Sequence, residues 1–164
     1  MDSIPIMEKL IQLVPDPELP LKQDVLKEMD PINGKVLGPL MPMIFPRARR
    51  DVICEASSDW FKQDRERRLG APEEQYEKER GGEGAFEKAK PGQQELAEFL
   101  KKTKEDDGPF VLGSRVSYPD FVLAARCEFL KYVGKDVYDR VIGGVAGLPE
   151  LHEACAPFFE RNEH

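Results

Sequence analysis

The side chains able to do chemistry are few. Three cysteines, Cys54, Cys127 and Cys155, are odd in number, widely spaced and without a Cys-x-x-Cys pair. Reduced thiols in a cytoplasmic protein are the simplest account. Cys127 lies in an apolar run and reads as an inert core residue. Cys155 is similar, and Cys54 stays open. The only histidines are His152 and the terminal His164. A zinc site or a Ser-His-Asp triad would rest on His152 alone, which argues against both and leaves no metal expected. Arg47, Arg49 and Arg50 form a basic cluster able to attract an anion, although a solvated helix end explains it as well. Ser117-Tyr118-Pro119-Asp120 is a capping box: a Ser N-cap with an acid three residues on, each side chain serving the other's backbone N–H.

The elements that position these residues read as helices throughout. Residues 3–14 show Ile6, Met7, Leu10, Ile11 and Val14 at helical spacing, with Ser3 as cap and Pro5 in the first turn. Pro15, Pro17 and Pro20 enforce an extended linker. Residues 21–29 predict a short helix that breaks or kinks at Pro31 and Asn33-Gly34. Residues 35–45 are strongly apolar, but Pro39 and Pro42 interrupt them. Ser57, Ser58 and Asp59 offer caps for a helix through Trp60 and Phe61, stopped by Gly70. In the run from Arg65 to Arg68 the arginines are expected to pair with acids on their own face. The Glu-rich stretch with Glu73, Glu74, Glu77 and Glu79 reads as a solvated helix. Gly81 to Gly84 marks the most flexible point, and Pro91-Gly92 a break between a charged helix and residues 94–102. Residues 121–133 form a helix apolar nearly all round, expected at the centre of a bundle. A helix over 136–142 ends at Gly143-Gly144. Pro149 opens the last one, with Leu151, Ala154, Cys155, Phe158 and Phe159 on its inner side. This is an all-α chain of about six to eight helices.

Composition narrows the function. The 164 residues suffice for one ordinary domain with its own core. The 24 Lys and Arg against 31 Asp and Glu leave a net charge of −7, a poor match for nucleic acid or an anionic membrane. No apolar run approaches the ~18 residues that would span a bilayer, and the N-terminus carries no secretory pattern.

The capping box sits in an informative context. Pro109-Phe110-Val111-Leu112-Gly113-Ser114-Arg115-Val116-Ser117-Tyr118-Pro119-Asp120 resembles the approach to the central helix of the glutathione transferase C-terminal domain, with Pro119 in place of the commoner Ala. Residues 60–70, beginning Trp60-Phe61 and ending Leu69-Gly70, resemble a segment of fungal glutathione transferase-like proteins. The likeness extends over most of residues 21–164. It is nearest to fungal members of the kind found in secondary-metabolite clusters, including the ustiloxin type. Asp2-Ser3-Ile4-Pro5-Ile6 looks like the start of the helix that closes the family's thioredoxin-like domain.

The resemblance implies a glutathione transferase C-terminal-like helical bundle over residues 21–164, preceded in residues 1–20 by a remnant helix and linker of a thioredoxin-like domain. It implies that Asp2 and Ser3 hold the γ-glutamyl group of glutathione, although an N-cap pair at the chain start explains them equally well. It places the wall for a hydrophobic electrophile at Met41, Phe45, Arg49, Trp60 and Phe61, against the alternative that these residues are simply core. The family's catalytic Ser, Cys or Tyr has no counterpart here, so little or no catalysis is expected of the chain alone. A homodimer is left open, because dimerisation in the family uses both domains. Two other readings stand beside this one: a non-catalytic binding or scaffold module, and a truncated product without function.

Overall fold

Prolines and glycines set the turns of this chain, and their effect depends on which side of a helix they occupy. The computed structural model describes residues 3–16 and 18–159. Helix α1 (Ser3–Leu13) is followed by non-helical chain around Pro15 and Pro20, as expected. Helix α2 (Gln23–Leu37) runs on through Pro31 and Asn33-Gly34, where the sequence suggested a break. Pro31 cannot bond the carbonyl of Lys27, but both residues are exposed, so water can serve that carbonyl. The buried Asn33 side chain turns inward and donates to the Met29 carbonyl at 3.1 Å. A 3-10 turn (Gly38–Leu40) leads into α3 (Met41–Asp51). Pro39 and Pro42 stand in the first turns of these two elements, where no N–H is needed. The apolar run is therefore helical, and it buries Leu40, Met43, Ile44 and Ala48.

Helix α4 (Glu55–Leu69) begins ahead of Ser57, Ser58 and Asp59, which lie inside it rather than capping it. Cys54 occupies the N-cap position. Gly70 ends the helix at φ 70°, as expected. In α5 (Glu73–Arg80) one expectation fails: Glu73 is 1% exposed and belongs to the interior, not to a solvated face. Helix α6 (Glu83–Thr103) is a single 21-residue helix through Pro91-Gly92, again because Pro91 and the residue one turn before it, Glu87, are exposed. Gly92 is buried against α2. A Cβ there would stand 2.7 Å from the Lys35 carbonyl carbon and 2.8 Å from the Val36 nitrogen.

Helix α7 (Tyr118–Val133) packs against α3, α8 (Lys135–Ile142) and α9 (Leu148–Cys155). It buries Leu123, Ala124, Cys127, Leu130 and Val133. It is not enclosed all round, since Phe129 and Tyr132 are exposed. Leu151 and Cys155 of α9 face inward as expected. Phe158 and Phe159 do not, because the helix gives way to a 3-10 turn (Ala156–Phe158) that carries them outward. Among the described residues there is no strand, only an isolated bridge between Phe110 and Gly113. The described part of residues 21–164 holds the eight helices α2–α9, an all-α fold. No described helix is long and apolar enough to cross a membrane.

Candidate functional site

The capping box is built as the spacing requires, with one addition. Ser117 and Asp120 close it in both directions. The Ser117 N–H and hydroxyl both donate to Asp120 Oδ2 at 2.7 Å. Asp120 Oδ1 takes the Val111 N–H, also at 2.7 Å. The carboxylate thus pins the incoming loop to the helix start. Burial pushes its carboxyl above the usual range, against the pull of these donors.

The residues expected to form an acceptor wall are only partly brought together. Phe45 of α3 and Phe61 of α4 meet edge to face, with ring centroids 6.4 Å apart. The Arg65 guanidinium lies 4.9 Å from the centroid of each ring, a cation shared between two π faces. Arg65 therefore does not act in an acid pair with its neighbours; Arg67 and Arg68 do, at 2.6 and 2.9 Å from Asp64. Sequence reasoning missed the role of Arg65, although its i, i+4 spacing from Phe61 is a usable signal. Met41 is half-buried against the core, and Trp60 stands 66% exposed. Arg49 is engaged: its Nε donates to Glu73 Oε2 at 2.7 Å. Glu73 also receives structure from Glu66, whose Oε1 accepts the Glu73 N–H at 3.0 Å.

A concave feature lies between α1, α2 and α7. It is a groove of about 290 Å³ lined by Ile4, Leu26, Lys27, Met29, Asp30, Tyr118, Val122 and Arg126. Its edge at α1 is next to Ser3 in the chain, where that helix begins. Asp2 and the Ser3 side chain lie outside the described residues.

The remaining reactive groups sort by burial. Cys127 and Cys155 are buried, and desolvation pushes their thiols up to about 12 and about 11. They are inert at neutral pH. Cys54 is exposed, and the Ser57 hydroxyl at 3.5 Å from its sulfur heads the hydrogen bonds that lower its thiol from the ordinary range. His152 is buried between two partners. Its Nε2 lies 2.7 Å from Glu128 Oε1 and its Nδ1 lies 2.8 Å from the Tyr138 hydroxyl. A carboxylate only accepts, so Nε2 carries a hydrogen toward Glu128. This clasp ties α9 to α7 and α8. Among the described residues, no three His, Cys, Asp or Glu side chains gather in a metal-holding group.

A profile of the family "Glutathione S-transferase, C-terminal domain" matches residues 29–141, more than half of the chain. The chain belongs to this family. Its fold is shared with solved glutathione transferases of fungi. Glutathione transferase GSTFuA2 from Phanerochaete chrysosporium superposes with a TM-score of 0.76 at 20% identity, and GSTFuA3 from the same organism with 0.77 at 19%. In each case 99% of this chain matches 66% of the other. The glutathione S-transferase CsGST83044 of Ceriporiopsis subvermispora, solved in complex with glutathione, gives 0.71 at 19% identity, with 96% of this chain and 66% of that one covered. The chain thus spans just under two thirds of the length of these proteins. No curated protein matches its sequence.

Proposed function

We propose that this chain is the acceptor-side helical domain of a glutathione transferase-like protein. The observation that carries the reading is the family match over residues 29–141. In the reaction, a glutathione thiolate attacks an apolar electrophile; a C–S bond forms as the leaving group departs with its electron pair. The thioredoxin-like domain of such a protein holds and activates the thiol. The helical domain binds and orients the acceptor.

Residues 1–20 then form the last helix of that first domain and its linker. Asp2 and Ser3 meet the γ-glutamyl group, with a carboxylate for its ammonium and a helix start for its carboxylate. α1 begins at Ser3 and carries no acid in its first turn, which suits an anion there. In this reading the acceptor meets the paired rings of Phe45 and Phe61, and the expected contributions of Met41, Arg49 and Trp60 are part of the same proposal. In this reading the thiol-activating group belongs to the thioredoxin-like domain, so conjugation by the helical domain in isolation is expected to be negligible.

The test is the size of the endogenous protein, by immunoblot against the last helix with intact-mass confirmation. A species about 9 kDa heavier, one small domain, that conjugates glutathione to an aryl halide supports the reading. A species of the present length that neither binds glutathione nor joins a larger transferase overturns it and leaves the binding-module alternative.

A further inference from the structure

Helix α4 is fastened to the bundle differently from its neighbours. Among the described residues it buries Asp64 alone. That carboxylate is met by Arg67 and Arg68 of the same helix, so it ties α4 to nothing else. No described residue of α4 belongs to the apolar core or to the half-buried apolar residues packed against it. By contrast, α6 buries Phe86, Leu96, Phe99 and Leu100. Helix α4 packs chiefly on α3 and α5, and its ties to them are mostly polar. Glu66 Oε1 accepts the Glu73 N–H at 3.0 Å, and Lys62 Nζ lies 3.1 Å from Glu74 Oε1. On the α3 side, Phe61 and Arg65 meet the Phe45 ring. An exposed ion pair contributes little. Closure also leaves the buried Arg65 Nε without an acceptor and Glu73 Oε1 without a donor among the described residues. A buried polar atom left unmet opposes the state that buries it. On either side of α4, residues 52–54 and 70–72 lie outside any helix, with Gly70 at φ 70°.

We propose that α4 is a flap: it lifts from α3 and α5 as one unit, about residues 52–54 and 70–72, while the core helices stay folded. Stability is unevenly distributed in a fold, and an element with few buried apolar contacts opens first. Lifting uncovers the Phe45 ring and returns Arg65 to water. The opening itself stands apart from the conjugation reading, whereas its use rests on that reading. With Arg65 and Phe61 seated against Phe45, a flat acceptor reaches that ring by way of the open flap.

The test is native-state amide hydrogen exchange of the 164-residue chain in low urea, read by NMR. The Glu73 amide is the reporter. It opens α5, where a helix offers its own N–H no carbonyl, and its acceptor is Glu66 of α4. Its protection therefore reads the seating of α4. The interior amides of α4 and the Glu73 amide are expected to share one opening, with a shallower urea slope than α6 and α7. Their exchange should be about a hundredfold or more faster than in those helices. Phe61→Ala should speed this opening about fivefold, the scale of one aromatic pair. Ile142→Val, a trim of the core on α8, should speed α6 and α7 about fivefold and leave α4 unchanged. Three results would each overturn the flap. One is exchange of α4 with the rate and slope of α6 and α7. Another is exchange of its amides one by one without a shared slope. The third is an Ile142→Val variant that accelerates α4 as much as the core. Neither glutathione nor an acceptor enters the measurement, so its failure leaves the conjugation reading standing, and failed conjugation leaves the flap.

Discussion

Replacing Asp120 with alanine strands three donors at once: the N–H and hydroxyl of Ser117 and the N–H of Val111. Each buried donor left unmet costs about 1–3 kcal/mol, and Asp120 is fully buried. Asp120→Ala is therefore expected to lower stability by about 3 kcal/mol or more, read as a fall in the urea midpoint. The Ser117 half of this arrangement was legible, because the cap and its partner lie three positions apart. The Val111 bond was not, because nine positions and an irregular loop separate its ends. Glu73 was misread for a related reason. Its neighbours in sequence are charged and exposed, whereas its ion-pair partner Arg49 comes from another helix. The thiols give a second expectation at this scale. Native protein should react with one equivalent of a disulfide reagent, at Cys54, and denatured protein with three, since burial keeps Cys127 and Cys155 protonated and out of reach.

At the scale of elements, two glycines make opposite predictions. At Gly92 the backbones of α2 and α6 approach closely. Gly92→Ala should force them apart at a cost of about 1–3 kcal/mol, seen in urea denaturation. Gly34 lies in the interior of α2 with nothing within 4 Å of an added Cβ. Gly34→Ala should stabilise by about 0.5–1 kcal/mol, because it restricts the unfolded chain and removes a poor helix former. The same helices show why the all-α class was plain from sequence while its boundaries were not. Apolar spacing is a repeated signal and survives local exceptions. Pro31 and Pro91 are single-residue signals whose meaning depends on exposure, and exposure is a property of the packed bundle. Phe45 and Phe61 were likewise legible as apolar residue types on two successive helical segments. Their contact, and the cation between them, depend on how α3 and α4 cross.

For the whole molecule, the ion pairs set a direction for acid stability. Glu83 is held below its ordinary 4.5 by Arg140, Glu128 by Lys131, and Asp136 below its ordinary 3.8 by Arg47. A carboxyl lowered by folding contributes stability above its unfolded value and loses it as pH falls through its folded one. Asp120 runs the other way: burial raises it, so its contribution weakens as pH rises above 3.8. Asp51, Asp64, Glu74 and Asp106 are lowered too, so seven lowered carboxyls against one raised predict a urea midpoint that falls as pH drops below about 4.5, with a shallower decline in high salt because most of the pairs are exposed. The clasp around His152 binds the last helix into this whole, and it also constrains how the sequence can drift. Leucine at position 152 would orphan the Tyr138 hydroxyl and leave the Glu128 carboxylate to Lys131 alone; phenylalanine at 138 would leave Nδ1 unmet in the interior. Each single step is penalised while a concerted exchange for apolar residues is not. Positions 138 and 152 should therefore be inherited as one character, kept together or replaced together wherever this arrangement descends.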